Sequence, residues 1–367
     1  MMELCVLEKL ENWLLLFTAN CLKVMPIVLG LSSAIHFGQY SIFQYHLMSQ
    51  LFLLGMAIGF VAIGRLMDHC CEEIAYRMII ILGLIGVSGY LFVGKNALLV
   101  LGLFAAGAEM LCLWRIFDQQ SVFKKKMVIA GYWCVTFLPM LFAHMIAEWN
   151  AYYGLNHILM GIIFVLIMLL IRSYKYNAKS SMLTINLSEG INSTSVSVYW
   201  GVLFLPVVLW TYTLEKILTE GSGAATGEVY IFNLFLLIGG LVSLSSRLKT
   251  SYVLHGATLS CILTLGLVYT VSIQYWLAMS LVLAMTNLLP RLMCHLSEKL
   301  TGLLSCSKLG RVMAICHVFW IATIYVISRY EIKVVALGVV LFVLSLITFV
   351  IHNYGLKWRG QIGLAQR

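Results

Sequence analysis

The sequence predicts an all-α polytopic membrane protein, with twelve transmembrane helices in two pseudo-symmetric six-helix bundles and both termini cytoplasmic. Three observations carry that prediction. Hydrophobic residues make up 61% of the 367 and charged residues only 11%, whereas soluble domains carry about 25% charged residues. Mean hydropathy is +0.95, more apolar surface than a soluble fold can cover. Lys and Arg collect in every second loop between the apolar stretches, as the positive-inside rule requires.

A membrane helix needs about 20 apolar residues. The first half supplies candidates at 14–35, 46–65, 77–94, 97–114, 127–147 and 155–171. The opening "MMELCVLEKLENW" has more acid than base. It lacks the basic region of a secretory signal, so span one is expected to be retained. The polar stretch 172–195, "RSYKYNAKSSMLTINLSEGINSTS", then reads as a cytoplasmic linker. The second half supplies 196–214, 229–246, 252–273, 275–294, 310–328 and 333–352. The expected units are therefore 1–171, the linker 172–195, and 196–367. With the N-terminus inside, nineteen Lys and Arg fall inside and four outside, leaving Lys23 on neither side. A wrong span count would scramble that alternation.

The halves resemble each other. "PIVL" at 26–29 recurs as "PVVL" at 206–209, an offset of 180. Gly64 and Gly240 are 176 apart, and Glu109 and Asn287 are 178 apart. Near-constant offsets indicate a duplicated six-helix unit, a pattern of secondary transporters.

"GRLMDHCCEEIAYR", 64–77, joins spans two and three. With the 6+6 arrangement and the central cytoplasmic loop, it resembles the signature loop of the major facilitator superfamily. Gly64 and Asp68 match that signature, and Arg77 stands for part of its basic cluster. His69, Cys70, Cys71, Glu72 and Glu73 depart from it. "GLVSLSSRLK", 240–249, keeps the glycine and two basic residues but has no aspartate. The resemblance implies a central cavity lined by spans one, four, seven and ten, with alternating access by rocking of the halves. It also implies a gate at Gly64, Asp68 and Arg77. Glycine allows close helix packing, and Asp68 can meet the positive end of a neighbouring helix and hold the inward gate shut. Span five has Pro139 but Leu138 before it, unlike the glycine–proline motif of the family's exporters.

Lys23 is the sharpest candidate for chemistry. A lysine at the centre of a span costs about 2.5–3.5 kcal/mol on insertion scales and should face protein or water. Its face of span one carries Asn20 and Gly30. Lys23 either snorkels to the interface or pairs. Glu109 in span four is the candidate partner, at similar depth, with Gly102, Ala105, Ala106 and Cys112 on its face. Arg115 is the competing partner. A Lys23–Glu109 pair either fastens two helices or opens to bind cargo or a proton. Asn287, Asn233, Trp210 and His144 are further candidates for substrate binding or proton coupling, and His36, Tyr212 and His317 are weaker ones. Histidines at apolar positions are more often packing residues.

"DHCCEE", 68–73, places possible metal ligands side by side. Metal sites use spaced ligands, so no metal or other cofactor is expected. No phosphate cradle, zinc-protease motif or nucleophile elbow is present, and an enzyme is not expected. The ten cysteines show no disulfide spacing in outside loops, so free thiols are expected. The net charge of +9 reads as topogenic, not as a nucleic-acid surface.

The expected function is secondary transport of a small polar or zwitterionic organic solute, with protons as a candidate coupling ion. Alternatives are efflux or siderophore transport on the same fold, and a membrane-embedded enzyme or scaffold, for which His144 with Glu148 is the pairing to inspect. The expected partners are small-molecule substrate, protons and the lipid bilayer. A monomer in a bacterial inner membrane is expected.

Overall fold

The computed structural model describes residues 13–26, 28–29, 42–70, 72–118, 122–154, 156–173 and 305–330, with Leu234, Leu237, Ile238, Leu241 and Leu244. Spans seven, nine, ten and twelve lie outside the described residues, as do residues 174–195. So do Trp210, Tyr212, Asn233, Asn287 and His36, and the side chains of Arg115 and His144.

Among the described residues, seven α-helices follow in order. They are α1 (Trp13–Pro26), α2 (Ile42–His69), α3 (Glu72–Val93), α4 (Leu98–Asp118), α5 (Val122–Tyr153), α6 (Asn156–Ser173) and α7 (Cys306–Tyr330). α2 to α6 match the second to sixth predicted spans and α7 the eleventh; α1 covers the first part of span one, whose residues 30–35 lie outside the described residues. No strand occurs among the described residues. The all-α membrane fold class expected from composition is therefore the one observed. Large apolar side chains such as Ile58, Ile85, Ile162 and Val165 stay exposed. That is the arrangement of helices whose outer faces meet lipid.

Glu73–Trp114 is one apolar run of 42 residues. Straight, it would reach about 63 Å, twice the hydrocarbon thickness. Gly94 breaks it with φ of +75°, a conformation that glycine adopts without a Cβ penalty. A single 3-10 turn, Gly94–Ala97, completes the reversal.

Packing directions agree with the alternation of spans. Gly83 and Gly86 of α3 lie against Phe104 and Leu101 of α4, so α3 and α4 are antiparallel. Trp13 of α1 packs on Gly131 of α5, and Val24 and Val28 pack near Ala143 and Ala147. Odd spans one and five therefore run parallel. Even spans two and four also run parallel, with Gly55 beside Leu99 and Gly59 beside Leu103 and Ala106. Their backbones nearly touch: a Cβ on Gly55 would stand 2.0 Å from the Leu99 carbonyl oxygen, and one on Gly102 2.2 Å from that of Phe52. Small residues permit this approach between membrane helices. The helix that uses the small face around Glu109 is thus α2.

The gate segment differs from the expected loop. α2 continues through His69 and α3 begins at Glu72. The Cys70 amide still donates to the Leu66 carbonyl at 2.8 Å. Beyond the hydrocarbon, charged side chains meet water while the backbone keeps its helical bonds. Asp68 and Arg77 therefore sit on helices, and only two residues connect α2 to α3.

Candidate functional site

Two arrays of polar side chains interrupt the apolar packing. The deeper one starts on α1. Lys23 projects from a turn flanked by the buried residues Leu22 and Val24, and its Nζ forms an ion pair with Oε2 of Glu109 on α4. The other carboxylate oxygen, Oε1, accepts a hydrogen bond of 2.6 Å from the hydroxyl of Tyr132 on α5. The pairing selects Lys23 over snorkelling. The Glu109 side chain is 5% exposed and that of Lys23 23%, so the lysine stands at the open side of the pair and the carboxylate at its closed side.

Asn20, three residues before Lys23, is buried. Its Nδ2 donates to the Leu16 carbonyl at 2.9 Å, which leaves Oδ1 buried without a protein partner among the described residues. A buried acceptor left unpaired costs about 1–3 kcal/mol.

From α7, His317 reaches the same region. It is buried and interacts electrostatically with both Glu109 and Lys23. Its Nδ1 lies 2.8 Å from the Met313 carbonyl oxygen. A carbonyl only accepts, so the hydrogen-bond network assigns the proton to Nδ1 and leaves Nε2 as the titrating atom. The imidazole packs on Phe60 of α2, with ring centroids 5.0 Å apart, and on Trp320 at 6.1 Å.

The second array lies at the end of α2 expected to face the cytoplasm. Asp68 accepts from the first backbone amides of α7: Oδ1 from Cys306 at 2.8 Å and Oδ2 from Ser307 at 2.9 Å. These are donors that a helix start leaves unsatisfied, at the positive end of its dipole. Ser305 Oγ accepts from the Lys308 amide at 3.3 Å, completing the cap. Gly64 and Gly310 let the two helices cross closely, since a Cβ on Gly310 would meet the Phe60 carbonyl oxygen at 2.2 Å. Arg77 does not join this array; it pairs with Glu73 one turn earlier on α3.

Sequence reasoning placed Lys23, Glu109 and Asn20 in the deep array and Gly64 and Asp68 in the shallow one. It missed Tyr132, whose signal was a hydroxyl in the apolar "AGYWCVTF" of span five. It underweighted His317, because nothing in the sequence sets span eleven beside span four. The described cysteines, Cys21, Cys70, Cys112, Cys134, Cys306 and Cys316, form no disulfide.

Known structures decide the fold. A bacterial homologue of the iron transporter ferroportin, in an outward-facing state, superposes with a TM-score of 0.65 at 14% identity. The match covers 95% of this chain and 99% of that one. The chain has the major facilitator superfamily fold. The human organic anion transporter MFSD10 is similarly related, with a TM-score of 0.65, 14% identity, and 94% and 98% of the two chains covered. The proton:xylose symporter XylE, bound to 6-bromo-6-deoxy-D-glucose, gives 0.66 at 12% identity, covering 94% of each chain. No sequence-family profile and no curated protein sequence matches the chain. At these identities the likeness carries the major facilitator fold and not the cargo.

Proposed function

We propose that the chain is a secondary active transporter working by alternating access, with residues 1–171 and 196–367 as rocking bundles joined by the linker 172–195. The observation that carries this reading is the Lys23–Glu109 pair, buried well inside a fold whose solved neighbours include sugar, organic anion and iron transporters. A fixed structural bridge needs neither a partly exposed lysine nor a buried acceptor without a partner among the described residues beside it. This pair has both, in Lys23 and in Oδ1 of Asn20.

The cargo is a small polar or zwitterionic organic solute. Lys23 receives its negative group, while Glu109 receives an amine or a proton. Asn287, Asn233, Trp210 and His144 are further candidates for the lining. Asp68 and Gly64 hold the cytoplasmic side closed through α7, and Arg77 braces α3 through Glu73. The unequal exposure of Lys23 and Glu109 favours a second reading, in which the cargo is an organic anion and the carboxylate never touches it.

The test is uptake and exchange of a solute panel by the purified chain in proteoliposomes, with and without a pH gradient. Transport that persists unchanged in the Lys23→Met, Glu109→Gln double variant would remove the pair from the mechanism.

A further inference from the structure

We infer that His317 is the proton-carrying group of this site: its Nε2 takes up a proton when cargo draws Lys23 away from Glu109. The inference rests on the transport reading above in its organic-anion form, and it assigns the proton to His317 in place of Glu109.

Glu109 is buried and holds two partners, Lys23 and the Tyr132 hydroxyl. An anionic group binding Lys23 leaves the carboxylate with Tyr132 alone. Breaking a buried ion pair from one side is strongly unfavourable unless another positive charge replaces the one removed. Among the described residues, His317 is the other basic group that interacts with Glu109. It comes from α7, in the second half, whereas Lys23 and Glu109 belong to the first.

The surroundings of the ring suit a charge that comes and goes. Nδ1–H stays on the Met313 carbonyl in either state, so only Nε2 changes. Phe60 offers an aromatic ring at 5.0 Å, inside the range at which a ring face stabilises a cation. Lys23 repels a charge on the imidazole and Glu109 attracts one. Burial of the ring opposes the charge throughout; withdrawing Lys23 removes the second opposing influence and leaves the Glu109 carboxylate and the Met313 carbonyl to favour it. Tyr132 on α5 faces Glu109, α2 presents Phe60, and α7 itself contributes Cys316. Asp68 lies about 16 Å away, at the start of α7.

The balance closes. A proton from the open aqueous side forms an N–H bond at Nε2. It returns to water on the opposite side when cargo leaves and Lys23 comes back to Glu109. One proton accompanies each negative charge taken by Lys23, so a monoanion moves without net charge.

The experiment has two arms on the full-length chain in lipid nanodiscs or proteoliposomes. In the first, nitrogen-15 histidine resonances are followed between about pH 5 and 8, with His317 assigned from their loss in His317→Gln. In Lys23→Met the imidazolium form should persist to higher pH than in the native chain, and in Glu109→Gln that extension should vanish. A neutral His317 across the range in Lys23→Met, with the Glu109 carboxyl stretch appearing in its protonated form, would place the proton on Glu109 and overturn the inference. In the second arm, His317→Gln should lose accumulation driven by a pH gradient, about tenfold for one pH unit and one proton. Gradient-driven accumulation intact in that variant would also overturn it. If the native chain carries no solute of the panel, the transport reading fails, while the resonance arm still decides the charge on His317.

Discussion

Replacing Asp68 with alanine should open the cytoplasmic side. The carboxylate makes two bonds to α7 amides, at 2.8 and 2.9 Å. Hydrogen bonds to charged groups contribute about 1.5–3 kcal/mol when buried. Asp68 is exposed, so solvent screening reduces each to about 1 kcal/mol. Losing both shifts the closed-to-open balance by about 2 kcal/mol, or about 30-fold. Cys306 is a built-in reporter, because it is buried 3% exposed at the contact itself and forms no disulfide. Its reaction with a membrane-impermeant maleimide, read peptide by peptide in vesicles that expose this face, should accelerate by about 10- to 30-fold. Cys70, half-buried beside the same gate, is the control and should change little. Asp68→Asn should fall between, since its amide keeps one acceptor oxygen. An unchanged Cys306 rate in Asp68→Ala would show that α2 and α7 are held by packing at Gly64 and Gly310 instead.

Further outcomes follow from the same packing. At a pH where His317 is neutral, Lys23→Met alone leaves an uncompensated buried carboxylate and should cost about 3–5 kcal/mol, whereas Lys23→Met with Glu109→Gln should recover most of that loss. Thermal unfolding in detergent reads the difference, and a double variant no more stable than the single would deny the pair. Gly55→Ala puts a Cβ 2.0 Å from the Leu99 carbonyl oxygen. It should cost at least about 1–3 kcal/mol by overpacking, visible as a lower melting temperature, whereas Gly161→Ala, with open space around it, should not.

The legible part of this protein was the part fixed by one-dimensional rules. Apolar length gave the spans, and Lys and Arg counting gave an alternation that the parallel packing of α1 on α5 and α2 on α4 obeys. Lys23 stood out because a charge within an apolar run has a large cost, and so did its partner. The missed elements depend on three-dimensional juxtaposition. Tyr132 looks like any aromatic residue of span five until α5 is placed beside α4. His317 lies 208 residues from Glu109 in the chain, and no local pattern brings them together. Asp68, His69, Glu72 and Glu73, expected in a loop, lie on helices because hydropathy reports where the hydrocarbon ends, not where a helix does.

The two arrays share α7, and this makes their coupling measurable. Its first turn bonds to Asp68 and His317 lies eleven residues further on, about 16 Å along a continuous helix. A shift of α7 toward or away from Glu109 therefore changes the geometry at Asp68. Sites this far apart with no shared element have additive effects within about 0.3–0.5 kcal/mol. A cycle of Asp68→Ala, Glu109→Gln and the double variant, scored by Cys306 labelling, should depart from additivity by about 1 kcal/mol or more, the lower range of allosteric coupling. Glu109→Gln removes the carboxylate's interaction with the His317 ring, so it should loosen the α7 contact and raise labelling by itself. Asp68→Ala should then add less in that background than in the native one. Strict additivity would mean that α7 is two independent contacts on one rod, with the gate opening without reference to the charge state of the site.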